Sequence, residues 1–304
     1  MRRSDLVITF VLAALAFALR TFDLDLLEFK GDEAQAVHLA LPMAEGKALP
    51  QIGMMSSVGL NNPPLFIWLA AGPVALSVDP RVVTAILIGL LNALAVGLTY
   101  LLFAPRIGRF PAFMAALLFA TGTWPILYGR KLWAQCCLPP FTVLLFWATA
   151  RVFEATRSRA VALVPLLLCA LWQLHFSGIP LALVILALVL VRFRHVHWPA
   201  FLAGLGLAVL LTLPYLQFQR AHEWPDVKGL LAMASGKRAD GAPKGPSERR
   251  AGDAFYWTAY ISSAAHVEYA LGSDSMDALR TERSGVDVGA AESEDQEHLG
   301  GPAA

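Results

Sequence analysis

Two adjacent carboxylates and a histidine are the residues whose types and spacing best suit acid–base chemistry. Asp32 and Glu33 follow an apolar segment at the amino terminus, and His38 comes five to six residues later. Adjacent carboxylates just beyond a membrane span can bind a divalent cation or accept the proton of a hydroxyl group. Such a pair is also typical of the first turn of a helix, where the helix dipole favours acidic side chains. Spacing alone favours the helix-turn interpretation and leaves the chemical one open.

A cationic pair, two amide side chains and a second histidine lie at other boundaries of apolar segments. These residues are Asn62, Arg130, Lys131, Gln135 and His175. Carboxylates, cations and a histidine at one membrane face suit a site for an anionic lipid phosphate, whose charge the cations would neutralise. Each group also has a structural interpretation. Arg130 and Lys131 suit a boundary pair that snorkels to the interface, and His175 suits a hydrogen-bonded residue at a helix end.

The composition is that of a membrane protein. Of the 304 residues, 57% are hydrophobic and 15% are charged, whereas soluble domains average about 45–50% apolar and about 25% charged residues. The net charge is +1 and the basic residues form short clusters between apolar runs, which argues against nucleic acid as a partner. The three cysteines lie inside apolar segments and two of them are adjacent, a pattern that fits neither a disulfide framework nor a zinc site.

The apolar runs predict about seven membrane spans, since a helix needs about 20 apolar residues to cross about 30 Å of hydrocarbon. The runs are residues 6–19, 82–104, 110–129, 132–150, the two halves of 160–191 on either side of His175, and 198–219. Residues 63–77 are shorter and interrupted by prolines, so they predict an interfacial or re-entrant helix. The predicted fold class is an all-α polytopic membrane protein.

The distribution of the arginines predicts the orientation of these spans in the membrane. With the amino terminus in the cytoplasm, every compact basic turn except Arg130-Lys131 faces the cytoplasm, as the positive-inside rule requires. The arginines placed there are Arg2, Arg3, Arg106, Arg109, Arg151, Arg157, Arg159, Arg192 and Arg194. The outer segments are then residues 23–81, 129–133, 175–178 and 218–304, so the candidate site residues converge on the outer face.

The same pattern divides the chain into two regions. Residues 1–220 form a transmembrane domain whose outer catalytic loop is residues 23–81, and residues 221–304 form a hydrophilic, non-cytoplasmic segment. Residues 254–271 of that segment could form a helix. The remainder is rich in Gly, Pro and charged residues, which predicts disorder.

An ordered set of short motifs carries a resemblance to a known family. In chain order the motifs are Gly31-Asp32-Glu33-Ala34, Ser56-Ser57-Val58-Gly59, Asn62-Pro63-Pro64, Tyr128-Gly129-Arg130-Lys131-Leu132-Trp133-Ala134-Gln135 and Gln173-Leu174-His175-Phe176. Their order resembles that in bacterial members of the protein O-mannosyltransferase and aminoarabinose-transferase superfamily, which are GT-C glycosyltransferases. The resemblance covers residues 1–220 and depends on the whole set, because an Asp-Glu pair alone is common.

The resemblance implies a GT-C-like transmembrane helix bundle, with interfacial helices in an outer loop, in the plasma (inner) membrane and with its active site facing the periplasm or outside. It implies transfer of a sugar from a polyprenyl-phosphate donor to a protein, lipid or glycan acceptor, with inversion at the anomeric carbon. Asp32, or else Glu33, would be the catalytic base or a ligand of a divalent metal such as Mg, Mn or Zn, and Arg130 would contact the donor phosphate. The other candidate substrate-binding residues are Lys131, His175, Asn62, Gln135 and His38.

The chain departs from the family pattern at two places. Many relatives carry an aspartate five residues after the arginine, where this chain has Gln135, and an amide does not hold a metal as a carboxylate does. Relatives also continue with further spans, so we expect a C-terminally truncated chain. The alternatives are an inactive transferase fragment and a transporter or lipid-handling protein without chemistry. Transport is disfavoured because the predicted spans hold no charged side chain, and their one imidazole, His175, lies at an apex.

Overall fold

The computed structural model describes residues 2–26, 31–56, 59–155, 157–176 and 178–235. In chain order the α-helices of this part are α1 (Arg3–Thr21), α2 (Gly31–Ala44), α3 (Leu65–Leu76), α4 (Pro80–Ile107), α5 (Arg109–Thr121), α6 (Thr123–Tyr128), α7 (Leu138–Glu154), α8 (Leu163–Leu174), α9 (Gly178–Val191), α10 (Trp198–Ala221) and α11 (Pro225–Ala234). Within it, β-pairing is limited to one isolated bridge between Met55 and Asn61. The all-α fold class is confirmed. The predicted helix at residues 254–271 and the predicted disorder of the tail lie outside the described residues.

Four helices are long and apolar enough to cross a membrane: α1, α4, α10, and the run Ala134–Glu154, in which a 3-10 turn leads into α7. At 1.5 Å per residue the shortest of them, α1, extends about 28 Å, close to the hydrocarbon thickness of about 30 Å. Helix α4 contains one π-helical turn at Ala85–Gly89. Each of the four coincides with a predicted span, which identifies the chain as a membrane protein.

The other predicted spans correspond to shorter helices. Helix α5, followed by α6 after a break at Gly122, occupies the predicted span 110–129, and α8 and α9 occupy the two halves of 160–191. Helices of 12 to 14 residues extend about 18–21 Å, so the count of seven spans stays a prediction. Helix α3, in the segment predicted to be interfacial or re-entrant, has 12 residues.

Local sequence sets the ends of α4. The Asp79 carboxylate accepts a hydrogen bond from the Arg81 amide at 2.9 Å, and Pro80 occupies the first helical position, where a missing N–H does no harm. At the other end Gly108 has φ of +94°, a conformation that glycine adopts without strain. A single residue therefore joins α4 to α5, which packs against it.

Small side chains let the helices approach closely. Ala112, Ala116 and Ala120 recur every fourth residue along α5 and are fully buried against α1 and α4. A Cβ built on Gly204 of α10 would lie 1.9 Å from the carbonyl oxygen of Ala162, so glycine is required at that crossing. Close approach of this kind is how membrane helices associate when lipid is as apolar as their side chains.

One arginine is buried inside the bundle. Arg20, near the C-terminal end of α1, is 1% exposed. Its guanidinium donates hydrogen bonds to the carbonyl oxygens of Ala16 at 3.1 Å, Ala120 at 3.0 Å and Phe119 at 2.9 Å. Since the last carbonyls of a helix have no partners within it, Arg20 caps the C-terminus of α5 and ties it to α1. The predicted first span ended one residue before this arginine.

Candidate active site

The carboxylate pair lies in the first turn of α2. Asp32 is exposed and Glu33 is 4% exposed, because successive residues of a helix point about 100° apart. Glu33 shares its face with Ala36 and Ala40, which are fully buried where α2 packs on α3. The position of the pair fits the favourable interaction with the helix dipole. It also leaves Asp32 accessible for chemistry.

Residues 53–56 and 59–62 pair as a short hairpin, which we call the 53–62 hairpin. The Gly53 amide donates to the Asn62 carbonyl at 2.6 Å, and the Asn62 amide donates to the Met54 carbonyl at 3.1 Å. The Asn62 side chain adds a hydrogen bond from Nδ2 to the same Met54 oxygen at 2.9 Å. These bonds fix the position of Asn62 relative to the opposite arm of the hairpin.

Two further segments come from the helix ends. The buried Asn92 side chain of α4 donates to the Cys136 carbonyl at 2.9 Å and so holds the 3-10 turn that carries Gln135. Helix α8 ends at Leu174, and His175 follows it as the capping residue. Both segments therefore begin or end a helix of the bundle, which gives their polar side chains a rigid support.

These four segments surround one cavity of about 210 Å³. Its walls contain four of the predicted site residues, namely Asp32, Asn62, Gln135 and His175. The remaining lining residues are Met54, Met55, Ser56, Trp133, Ala134, Leu174 and Phe176. A carboxylate, an imidazole, a hydroxyl and two amides thus share a small cavity with aromatic side chains.

The other four predicted residues are not among those that line this cavity. Glu33 is buried and His38 is exposed, both on α2. Arg130 donates from Nη2 to the Asp23 carbonyl oxygen at 2.6 Å. Lys131 places Nζ 4.7 Å from the ring centroid of Trp133, whose side chain lines the cavity. Lys131 therefore contacts a residue of the cavity wall, whereas Arg130 is hydrogen-bonded to Asp23 and contributes nothing to that wall.

Burial changes the titration of two of these groups. It lowers the pKa of His175 from its ordinary value, which favours the neutral imidazole near pH 7. Burial also lowers the pKa of Arg130, while the charge of Asp23 opposes that shift. A guanidinium remains charged at physiological pH, so Arg130 is a partly desolvated cation that an anion would stabilise.

The donor set at the cavity is sparse for a metal ion. Across the described residues no group of three or more His, Cys, Asp and Glu side chains is arranged to hold one. In the cavity wall Asp32 supplies a carboxylate, and Asn62 and Gln135 supply amide oxygens. A magnesium ion held by one carboxylate takes its other ligands from water and substrate phosphate, so a metal at Asp32 would depend on the substrate.

A buried carboxylate near the site was missed by sequence reasoning. Asp226, in the first turn of α11, is 4% exposed and accepts hydrogen bonds from the Asn61 amide at 2.7 Å and the Tyr215 hydroxyl at 2.9 Å. Proline followed by an acidic residue is a recognisable helix start. Its burial, however, depends on a contact between residues 165 positions apart.

Comparison with protein-family models, with curated proteins and with solved structures yields no match for this chain. The coarse class therefore comes from the fold alone: an all-α membrane protein with a polar cavity at the junction of its loops and helix ends.

Proposed function

We propose that this protein is a membrane glycosyltransferase that transfers a sugar from a polyprenyl-phosphate donor to an acceptor hydroxyl. The observation that supports it most is the cavity shared by Asp32, Asn62, Gln135 and His175. These residues come from segments far apart in the chain, and each belongs to a motif that resembles the GT-C transferases. The volume of this cavity lies below the range of about 300–1,000 Å³ for drug-sized ligands. It therefore suits one sugar unit, with the lipid chain outside.

In the proposed reaction Asp32 acts as general base. Its carboxylate takes the proton of the acceptor hydroxyl while that oxygen bonds to the anomeric carbon and the bond from this carbon to the donor phosphate oxygen breaks. Attack opposite the leaving group inverts the anomeric centre. The amides of Asn62 and Gln135 hydrogen-bond sugar hydroxyls, and the neutral His175 imidazole orients them or the acceptor.

Arg130 and Lys131 stabilise the leaving lipid phosphate in this proposal. A preorganised cation is most effective where negative charge develops and water is scarce, and the partly buried Arg130 meets that condition. A divalent metal, if held by Asp32, would supply the same charge stabilisation. We also propose seven spans, location in the plasma membrane and an outward-facing site. The positive-inside pattern supports this orientation.

The experiment compares lipid-linked sugars and surface glycans by mass spectrometry in cells with the intact gene, a deletion and point variants. We expect Asp32→Asn to lower the transfer rate by about 10²–10⁴-fold, so that it accumulates one lipid-phosphate sugar and loses one glycan, as the deletion does. His38→Gln is the matched control, since this exposed histidine lies on the same helix away from the cavity. Full activity in both Asp32→Asn and Glu33→Gln would refute the assignment of the site.

A further inference from the structure

The buried Asp226 carboxylate connects α10, α11 and the 53–62 hairpin. Its Oδ1 accepts from the Asn61 backbone amide at 2.7 Å and from Asn61 Nδ2 at 3.1 Å. Its Oδ2 accepts from the Tyr215 hydroxyl at 2.9 Å and from Gln219 Nε2. Asp226 thus receives donors from two directions, with the hairpin on one side and α10 on the other.

Several hydrogen bonds hold the α10 side of this cluster. Tyr215 and Gln219 lie one helical turn apart, and Gln219 also accepts from the Asp226 amide at 3.2 Å through its Oε1. Glu223 and Trp224, in the turn to α11, both have φ of +59°, a left-handed conformation that costs a non-glycine residue free energy unless its surroundings enforce it. The reciprocal contact between Gln219 and Asp226 closes this turn and fixes the carboxylate.

The hairpin side leads directly to the candidate active site. Asn61 is followed by Asn62, and the hairpin contributes Met54, Met55, Ser56 and Asn62 to the cavity wall. The hairpin is held internally by its own backbone hydrogen bonds. Its hydrogen bonds to Asp226 connect it to the helices of the bundle through one residue, Asn61.

We propose that Asp226 is a positioning residue, which holds the 53–62 hairpin against α10 and α11 and so sets the position of Asn62 in the substrate cavity. The effect of Asp226 on catalysis rests on the proposed function, whereas its effect on the position of the 53–62 hairpin does not. A carboxylate suits this place because it has two acceptor oxygens with lone pairs on both sides. Asp226→Asn would keep one acceptor oxygen, for either the hairpin or α10, and would turn an N–H₂ group toward the donors of the other element.

Hydrogen exchange of the intact protein in detergent tests the mechanical part. In Asp226→Asn we expect the amides of Gly53, Asn61 and Asn62 to exchange about tenfold faster or more, because a charge-assisted hydrogen bond no longer restrains the hairpin. Amides in the middle of α4 are expected to keep their rates. Glu223→Gln is the matched control, since that carboxylate side chain is 86% exposed and pairs only on the surface, with Lys228 at 3.1 Å.

The catalytic part is tested by the transfer kinetics of the same variants. Asp226→Asn is expected to lower kcat by about 10–100-fold, since small displacements of a site are costly, and to raise KM. These constants are measured below the melting temperature of the variant, which the loss of a buried hydrogen bond lowers. Asn61→Ala removes the side-chain donor from the hairpin side and leaves α11 intact, so it should reproduce part of both effects. Combining it with Asp226→Asn should add little further.

Unchanged exchange in the hairpin of Asp226→Asn would overturn the inference, and so would equal acceleration in the hairpin and α4, which indicates general destabilisation. If Asp226→Asn does not fold, the exchange pattern of Asn61→Ala decides. If the wild-type protein transfers no sugar while the exchange pattern is as expected, the proposed function fails and the positioning role stands. Normal kinetics with a loosened hairpin would refute its effect on the site.

Discussion

Gly129, immediately before Arg130, has no room for a side chain, and we predict that Gly129→Ala destabilises the protein. A Cβ at this position would lie 2.6 Å from Arg20 Nε, 2.7 Å from the Pro125 carbonyl oxygen and 2.8 Å from Arg20 Cδ. Arg20 cannot move aside easily because its guanidinium makes three hydrogen bonds to backbone carbonyls. The Pro125 oxygen belongs to the backbone of α6 and is similarly constrained.

Two opposing contributions determine how much Gly129→Ala changes the free energy of unfolding. The backbone of Gly129 has φ of −70° and ψ of 2°, which alanine adopts freely, so the lower entropy of the unfolded chain favours the variant by about 0.4–1 kcal/mol. Overpacking costs about 1–3 kcal/mol. The midpoints of these two ranges leave a net loss of about 1.3 kcal/mol, which corresponds to a fall in Tm of about 3–5 °C.

The assay is thermal unfolding of the purified protein in detergent, followed by circular dichroism at one scan rate. Gly206→Ala in α10 is the matched control, since a Cβ there meets nothing within 4 Å and alanine is the better helix former. We expect Gly206→Ala to melt at or above the wild-type temperature. A Gly129→Ala variant that melts with it would show that Arg20 and Gly129 are not packed as described. A Gly129→Ala loss that persists in full when Arg20 is also replaced by Ala would point to Pro125 alone.

Two further predictions concern the polar groups of the site. Because burial lowers the pKa of His175 below its ordinary 6.5, the unfolded chain takes up this proton at a higher pH than the folded chain. The contribution of His175 to stability is therefore complete above about pH 6.5 and declines as the pH falls toward the folded-state pKa. The free energy of unfolding of His175→Gln, measured across pH 5–8, should lack this decline. Identical pH profiles for the variant and the wild type would contradict the lowered pKa. Arg130→Ala should raise KM for a polyprenyl-phosphate donor about tenfold or more, as expected for loss of a hydrogen bond to a charged group, and Arg130→Lys should recover part of it. The control is Arg109→Ala, which removes an ion pair with Asp5 at 3.0 Å away from the cavity; an equal change in KM for both alanine variants would refute the phosphate role.

Sequence patterns were sufficient for the helices and for part of the site. Apolar runs locate α1, α4, α7 and α10 because a span must satisfy its backbone internally and present apolar side chains to lipid. The distribution of arginines between the predicted spans places Asp32, Asn62, Gln135 and His175 at one membrane face, and the structure brings these four residues to one cavity. That distribution does not distinguish residues that share a face from residues that share a cavity.

Predicted residues outside the cavity wall, and charged residues whose burial was not predicted, show where sequence patterns are insufficient. Glu33 and His38 do not line the cavity, because α2 begins at Gly31 and a helix directs its residues by rotation rather than by nearness in sequence. Arg20 and Asp226 are charged residues whose burial is stabilised by partners about 100 or more positions distant in the chain. No local pattern encodes such partners.

The π-helical turn of α4 has a consequence for how this chain can change. On one side of it Arg81 pairs with Asp79 and Asp25, and on the other Asn92 holds the turn that carries Gln135. A π-helical turn contains one residue more than an α-helical turn, so deleting one residue at Ala85–Gly89 would restore a regular α-helix and leave the two ends of α4 in place. Deleting one residue elsewhere between these contacts would rotate the two ends relative to each other by about 100°. The two sets of contacts could then no longer form together. The π-helical turn is therefore the part of α4 between these contacts in which the loss of one residue is compatible with the fold.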